Sequence, residues 1–177
     1  MSSNDAPGAR LFQMWQRLSP LPGGKWLFSR IVGWTAPYTG SIRANVLELS
    51  PGHSRVQIRE RRALRQHLRS VHAVALINLA EEATGLAMLV ALPPGVRGIV
   101  VSISMDYLKK ARGVLTAECD CQLPVVAAPQ DFDVTGRIVD EKGDVVANAR
   151  VKWRLSPPAE GRVAATPSRA RETAGAP

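Results

Sequence analysis

Two adjacent carboxylates, Glu81 and Glu82, lie in the middle of an unusually apolar stretch of the sequence, Ser70 to Leu92. A carboxyl group buried in such a stretch can act as a general base or a nucleophile, because burial raises its pKa toward neutrality. A membrane span is disfavoured, since each carboxylate at a bilayer centre costs about 2.5 kcal/mol or more. We therefore expect a buried helix in which Glu81 faces a cleft or a subunit interface and Glu82 faces solvent.

The stretch that carries these carboxylates has the periodicity of one long helix. Its apolar residues recur at intervals of three and four, which predicts a helix of about six turns at 3.6 residues each. Ser70 is the candidate N-cap, and Pro93-Pro94-Gly95 ends the helix in a turn. The apolar stripe consists of Leu76, Leu79, Ala83, Leu86 and Val90.

The charge of the chain favours anionic partners but does not choose among them. The 177 residues carry a formal net charge of +8, and the pI is about 10.3. Nucleic acid, anionic lipid and a phosphorylated ligand are all compatible with these values. Six arginines cluster in the sequence before the helix, either as a binding surface or as a solvated strand end and loop: Arg55, Arg59, Arg61, Arg62, Arg65 and Arg69. Nucleic acid and membrane are the least favoured partners, because no aromatic residues alternate with these arginines and no binding motif is present.

The two cysteines, Cys119 and Cys121, do not suggest a metal site or a disulfide. Their spacing places both on one face of a strand, and no second pair completes a metal-ligand set. The amino terminus lacks a basic start followed by an apolar core, so no secretory signal is expected. The simplest interpretation is a reduced, cytoplasmic protein without a metal.

The remaining segments predict an α+β architecture. Residues 1–9 are expected to be disordered, 10–35 to form a helical segment, and 36–155 to form the main domain, with a disordered basic tail at 156–177. The main domain is predicted to contain a hairpin, the long helix and four consecutive antiparallel strands. The predicted strands are 41–49, 55–60, 96–108, 114–122, 132–139 and 145–155. A sheet of about six strands curled around one long helix would bury that helix on one side. The other face of the helix then needs cover as well, so we expect a symmetric dimer.

The residues from Gln66 to Glu81 resemble the signature of hotdog-fold thioesterases of the phenylacetate-pathway type. That family shows an amide six residues before a histidine and a carboxylate nine residues after it, and Gln66, His72 and Glu81 match this spacing. The segment from Ser104 to Gly113 resembles the strand and turn that precede the next strand in those proteins. The resemblance covers roughly residues 35–155 and is best with a bacterial subgroup of unassigned function. It implies the hotdog fold, an antiparallel sheet of about six strands wrapped around one long central helix.

The resemblance also implies a mechanism for acyl thioester hydrolysis, with acyl-CoA as the expected substrate. The backbone N–H groups of Ala73 and Val74, at the positive end of the helix dipole, would hold the oxyanion. Glu81 would attack or activate water, and Gln66 and His72 would position the thioester. In the family, this carboxylate usually works across the dimer interface from the histidine and amide of the other subunit. A homodimer or a dimer of dimers is therefore expected.

Further residues have supporting roles by the same resemblance. Asn78, one turn before Glu81, could orient the carboxylate. Lys109, Lys110 and Arg112 cluster at a strand end. In the family, basic residues in this part of the fold often contact the nucleotide end of coenzyme A, so these three could bind its phosphates; alternatively, they form a solvated turn. No cofactor is implied beyond coenzyme A as part of the substrate.

The sequence departs from the family at the helix start. The two glycines that follow the histidine are replaced by Ala73 and Val74, and the asparagine is replaced by Gln66. The side chain of a valine leaves less room than a glycine does for a substrate to approach the backbone N–H groups. Two functions therefore stay open: an acyl thioester hydrolase, or an acyl-ligand binding protein of the same fold that does not turn its ligand over.

Overall fold

The computed structural model describes residues 7–158, so the predictions for residues 1–6 and 159–177 lie outside the described residues. The helices are α1 (Pro7–Leu18), α2 (Gly24–Thr35), α3 (Pro37–Gly40) and α4 (Ala73–Ala91). The strands are β1 (Asn45–Ser50), β2 (His53–Arg59), β3 (Arg97–Tyr107), β4 (Val114–Asp120), β5 (Gln130–Asp140) and β6 (Val145–Ser156). A short 3-10 turn spans Arg62–Leu64.

The six strands form one antiparallel sheet in the order β1-β2-β4-β5-β6-β3. β1 and β2 form the predicted hairpin, and β5 and β6 are joined by the predicted turn after Asp140. The sheet packs around α4 with Val56, Leu115 and Ile138 turned into the core. The predicted fold class is confirmed: an α+β hotdog fold in which six antiparallel strands surround one long helix.

α4 is the core helix of the domain. By length and composition it could cross a membrane, but 67% of its most apolar window is buried inside the protein. Leu79 and Ala83 are fully buried against the sheet. Burial of a side chain as large as leucine contributes about 1.5–3 kcal/mol to the stability of the folded protein. The apolar run of the sequence is therefore explained by burial on most sides of the helix.

α4 begins two residues later than predicted, and its N-cap is His72 rather than Ser70. The intervening residues form a tight loop in which the Gln66 N–H donates to the Ser70 carbonyl and Arg69 has φ 55°. The Val71 N–H donates to the carbonyl of Ala111, outside the loop. An isolated antiparallel bridge pairs Val71 with Arg65 before the helix starts, and Ser70 is buried instead of capping.

The two N-terminal helices cover the outer face of α4. Trp15 of α1 and Phe28 of α2 meet edge to face, with ring centroids 5.0 Å apart and planes at 71°. α1 approaches α4 so closely that a Cβ on Gly8 would lie 1.9 Å from the Leu89 carbonyl oxygen. α1 starts at Pro7, so residues 7–9 are helical. The prediction that these three residues are disordered is therefore wrong. Much of the cover that was expected from a second subunit thus comes from the same chain.

Candidate functional site

Glu81 lies in the wall of a mostly apolar cavity of about 330 Å³ between α1, α2 and α4, and Glu82 lines the same cavity. The Glu81 carboxylate is half-buried, and no side chain or N–H group within residues 7–158 hydrogen-bonds to it. A carboxylate with unused acceptor capacity beside apolar walls can accept a proton from water or attack a carbonyl. The apolar lining includes Leu11, Met14, Ile31, Leu86, Leu89 and Trp153.

Glu82 is the more deeply buried of the two carboxylates, so the prediction that it faces solvent is wrong. It is 8% exposed, because α2 and α3 cover this side of α4. Burial raises its pKa to about 7, and the positive charge of Arg30 only partly opposes that rise. Glu82 also lines a second, polar cavity of about 160 Å³ together with Ser29, Arg30 and Arg43.

The start of α4 gathers several residues of the predicted signature. Gln66, Ala73, Lys109 and Lys110 line a shallow cavity of about 240 Å³, together with Tyr107. The Gln66 side-chain amide donates to the Ser70 hydroxyl at 2.8 Å. The Tyr107 hydroxyl donates to the Ala73 carbonyl at 3.3 Å. The amide, the first turn of the helix and the basic residues therefore share one place on the surface.

One of the two predicted oxyanion donors is occupied. The Val74 N–H donates to Nδ1 of His72 at 3.1 Å, which is the N-cap hydrogen bond of α4. His72 itself is exposed. The resemblance implied that the Val74 N–H would bind an oxyanion, whereas here it donates to the N-cap residue. The His72 ring would have to rotate away before Val74 could donate to a ligand.

Within one chain, the start of α4 and Glu81 are separate. Nine residues divide His72 from Glu81, a rise of about 13 Å along a helix. A thioester carbonyl held at the N-terminus of α4 therefore cannot reach Glu81 of the same chain. The predicted arrangement across a dimer interface, in which the two groups come from different subunits, is the one that this distance allows.

Asn78 does not hydrogen-bond to Glu81. Its side-chain Nδ2 donates to the Tyr38 carbonyl at 3.1 Å, and the residue is 3% exposed. The bond attaches α3 to α4. Its Oδ1 is buried without a hydrogen-bond partner in the described chain, so the amide retains one unused acceptor.

The basic residues after β3 differ in how far they are neutralised. The Lys109 ammonium pairs with Asp140 at 2.7 Å and with Asp144 at 2.6 Å. The long sequence separation between these partners concealed the pairing. Arg112 Nε donates to the Arg69 carbonyl at 3.1 Å, while Lys110 is exposed. Lys109 therefore has little charge left for a phosphate, and the predicted roles of Lys110 and Arg112 stay predictions.

The polar cavity beside Glu82 was not found from the sequence. Arg30 follows the buried pair Phe28 and Ser29 in α2, and a lone arginine next to buried positions is a weak signal. Its Nη2 donates to the Ala44 carbonyl and, at 3.3 Å, to Asn45 Oδ1. Residues 7–158 contain no cluster of three or more His, Cys, Asp or Glu side chains placed to hold a metal ion.

Several solved structures share the architecture of this chain. A structural-genomics crystal structure, APC5556, is 31% identical in sequence, with a TM-score of 0.72. The match covers 84% of this chain and 97% of the APC5556 chain. A mutant of the phenylacetic acid degradation protein PaaI from Thermus thermophilus is 22% identical, with 67% and 97% coverage and a TM-score of 0.57. A hypothetical thioesterase from Streptococcus pneumoniae, solved with coenzyme A, is 19% identical, with 65% and 90% coverage and a TM-score of 0.56. These structures share the hotdog fold that the resemblance predicted.

The sequence profile of a domain of unknown function, DUF4442, matches residues 24–155. No functionally curated protein matches the sequence. The chain belongs to the DUF4442 family, whose function is not known. The match includes α2 as well as the sheet and α4, so the helix that covers Glu82 is part of the family domain.

Proposed function

We propose that the protein hydrolyses an acyl thioester, with acyl-CoA as the substrate. The observation that carries the proposal is Glu81, a half-buried carboxylate with no hydrogen-bond partner in the described chain, in the wall of a mostly apolar cavity of about 330 Å³. The cavity suits an acyl chain, because apolar walls bind hydrocarbon by removing it from water. The coenzyme A bound by the related S. pneumoniae protein supports the same class of substrate.

The reaction follows from the chemistry of a carboxylate and a helix N-terminus. Glu81 takes a proton from water, and the resulting hydroxide attacks the thioester carbonyl to give a tetrahedral oxyanion. The oxyanion is stabilised by the N–H of Ala73 at the positive end of α4. Collapse breaks the C–S bond, and the thiolate leaves with the proton held by Glu81. The products are a carboxylic acid and free thiol, so water is the only co-reactant.

The proposal requires a homodimer, or a dimer of dimers, because Glu81 and the start of α4 are far apart within one chain. Edge strand β3 is the surface that suits the dimer. None of its eleven residues is fully buried, and Ile99 and Val101 are 66% and 49% exposed. An unpaired edge with exposed apolar side chains readily pairs with another strand. Pairing of β3 with its symmetry mate would extend the sheet across the dimer.

Charges on β3 should separate the subunits and stop turnover. We expect wild-type protein to have at least twice the 19.1 kDa chain mass in light scattering after gel filtration, and I99K/V101K to have the mass of one chain. Turnover should fall by roughly 100-fold or more in that variant, because a lost general base or oxyanion donor costs at least that factor. V125K is the matched control, since Val125 is 90% exposed and lies outside the strands. A wild-type monomer that turns over, or a dimer unaffected by I99K/V101K, contradicts this assembly.

The direct test is thiol release from short, long and aromatic acyl-CoAs. We expect wild-type protein to release thiol from one class faster than from the others, because the cavity has a fixed size and lining. Release would be followed with a thiol-reactive dye, with heat-denatured protein as the blank. Failure on every class, under conditions in which the protein is folded and dimeric, contradicts the hydrolase proposal.

A second function has one observation in its favour. The Val74 N–H is occupied by His72, and the Val74 side chain is 47% exposed at the helix start. An acyl-CoA or acyl-ligand binding protein of the same fold needs no oxyanion donors. An acyl-CoA that binds with a measurable Kd and is recovered intact after prolonged incubation supports this second function. Under either function we propose a cytoplasmic location, where acyl-CoA is available, and no bound metal or cofactor.

A further inference from the structure

Three arginines converge where α2, α3 and the start of β1 meet. Arg30 and Arg43 line the 160 Å³ cavity beside Glu82. Arg43 and Arg61 line a larger, open cavity of about 480 Å³. The two cavities share Arg43 and the close-packed pair Gly33 and Gly40. We call this connected pair of cavities the arginine corner.

The backbone fixes one wall of the arginine corner. A Cβ on Gly40 would lie 2.1 Å from the Gly33 carbonyl oxygen, so α2 and α3 are in direct backbone contact there. Arg43 has φ 54°, a conformation that costs a non-glycine residue roughly 1 kcal/mol. The fold thus places an arginine in a strained backbone position at the junction of both cavities.

The positive charge of the arginine corner is not neutralised within residues 7–158. No carboxylate there forms an ion pair with Arg30, Arg43 or Arg61. Glu82 attracts Arg30 only at longer range. Some basic residues elsewhere are paired, as Arg65 with Glu60 and Lys109 with two aspartates show. The corner differs in that its three unpaired arginines line two connected cavities, an arrangement that favours an external anion.

Two guanidinium donors at the corner have no acceptor. Arg30 Nη2 and Arg61 Nη2 donate to the carbonyls of Ala44 and Ser41. The Nε atoms of both arginines are buried without a hydrogen-bond partner in the described chain. Buried polar groups nearly always have a partner, so such orphan donors mark a place where an acceptor is missing. A phosphate group offers several acceptor oxygens and two negative charges, which match donors of this kind.

An exposed aromatic ring borders the same corner. Trp34 lines the open cavity together with Arg43 and Arg61, and it is 85% exposed. An exposed indole beside cations is suited to a planar aromatic ring that is attached to a phosphate, because the ring stacks while the phosphate is bound. We propose that the arginine corner binds the phosphate of a nucleoside phosphate, with Arg43 and Arg61 on the phosphate and Trp34 on the base.

This inference goes beyond thioester hydrolysis, because it concerns binding and does not involve Glu81. Coenzyme A ends in a phosphorylated adenosine, so the corner is also an alternative to Lys110 and Arg112 as the place for the nucleotide end of that substrate. The two proposals can fail separately: nucleotide binding is measured without a thioester, and hydrolysis is measured without free nucleotide.

The test is calorimetric titration of the full chain with ADP, ribose 5-phosphate and adenosine. We expect ADP to bind, ribose 5-phosphate to bind roughly 5- to 100-fold more weakly for lack of stacking, and adenosine to show no binding. R43A should weaken ADP binding by roughly tenfold or more, because a charge-assisted contact is lost, and W34A should bring ADP to the level of ribose 5-phosphate. Neither side chain donates or accepts a hydrogen bond within the described chain, so both variants should fold, as circular dichroism can check.

The control variants separate this corner from general basicity and from the rival location. R62A removes an exposed arginine next to Arg61 that does not line the cavities. K110A removes a lysine that follows β3 and lines the cavity at the start of α4. Both should bind ADP about as tightly as wild type does. The proposal is overturned by absence of ADP binding, by adenosine binding as tightly as ADP, by R43A retaining wild-type affinity, or by K110A or R62A losing as much as R43A.

Discussion

Replacing Glu81 by glutamine should lower the turnover of acyl-CoA by about 10² to 10⁴, the usual effect of losing a positioned general base. The amide is nearly isosteric but cannot take a proton from water or form an acyl intermediate. The loss should fall on kcat, because the apolar lining that holds the acyl chain is unchanged. The measurement is thiol release under saturating substrate, together with calorimetric binding of the same acyl-CoA.

Two further variants make this result specific. E141Q is the matched control, because Glu141 is an exposed carboxylate in the turn between β5 and β6, far from the cavity. It should retain wild-type kcat. E81D keeps the carboxylate but withdraws it by one methylene, so it should recover part of the activity that E81Q loses. Wild-type kcat in E81Q would remove Glu81 from the reaction, and equal loss in binding would assign it to holding the ligand.

The sequence predicted those parts of the fold that local patterns control. Alternation of β-branched residues placed the four strands after α4 within a few residues, and the three-and-four spacing of apolar residues located α4. The spacing of Gln66, His72 and Glu81 led to the hotdog fold. These features depend on which face of a helix or strand is buried, and a buried face shows in the sequence as a regular spacing of apolar residues.

The parts that the sequence did not predict depend on contacts between distant segments. His72 is the N-cap instead of Ser70 because Val71 is held before the helix, in a bridge with Arg65 and by its N–H bond to the carbonyl of Ala111, which is far away in the chain. Glu82 was expected in solvent because periodicity shows only that α4 has an outer face, not that α2 and α3 cover it. Lys109 was expected to be free for a phosphate because its partner Asp140 lies at the far end of β5. In each case a tertiary contact changed the environment of a correctly noted residue.

The Glu82→Gln variant should be more stable than wild type at pH 8, by about 3 kcal/mol. Glu82 has a pKa of about 7 in the folded protein, against an ordinary value of 4.5. Below pH 4.5 the carboxyl group is protonated in both states and costs nothing. Between pH 4.5 and 7 the unfolded chain loses its proton first, so the free energy of unfolding decreases as pH rises, and above pH 7 the full cost is present.

Glutamine removes that dependence, since it is neutral at every pH and occupies the same buried volume. Thermal unfolding followed by circular dichroism should show equal Tm values at pH 4 and a Tm higher by roughly 6–12 °C for E82Q at pH 8. E81Q, the same change at the neighbouring half-buried position, controls for removing one negative charge from α4. If E82Q is instead less stable than wild type at pH 8, the ionised carboxylate gains more from Arg30 than its burial costs, and Glu82 must be treated as the partner of that arginine rather than as a buried neutral acid.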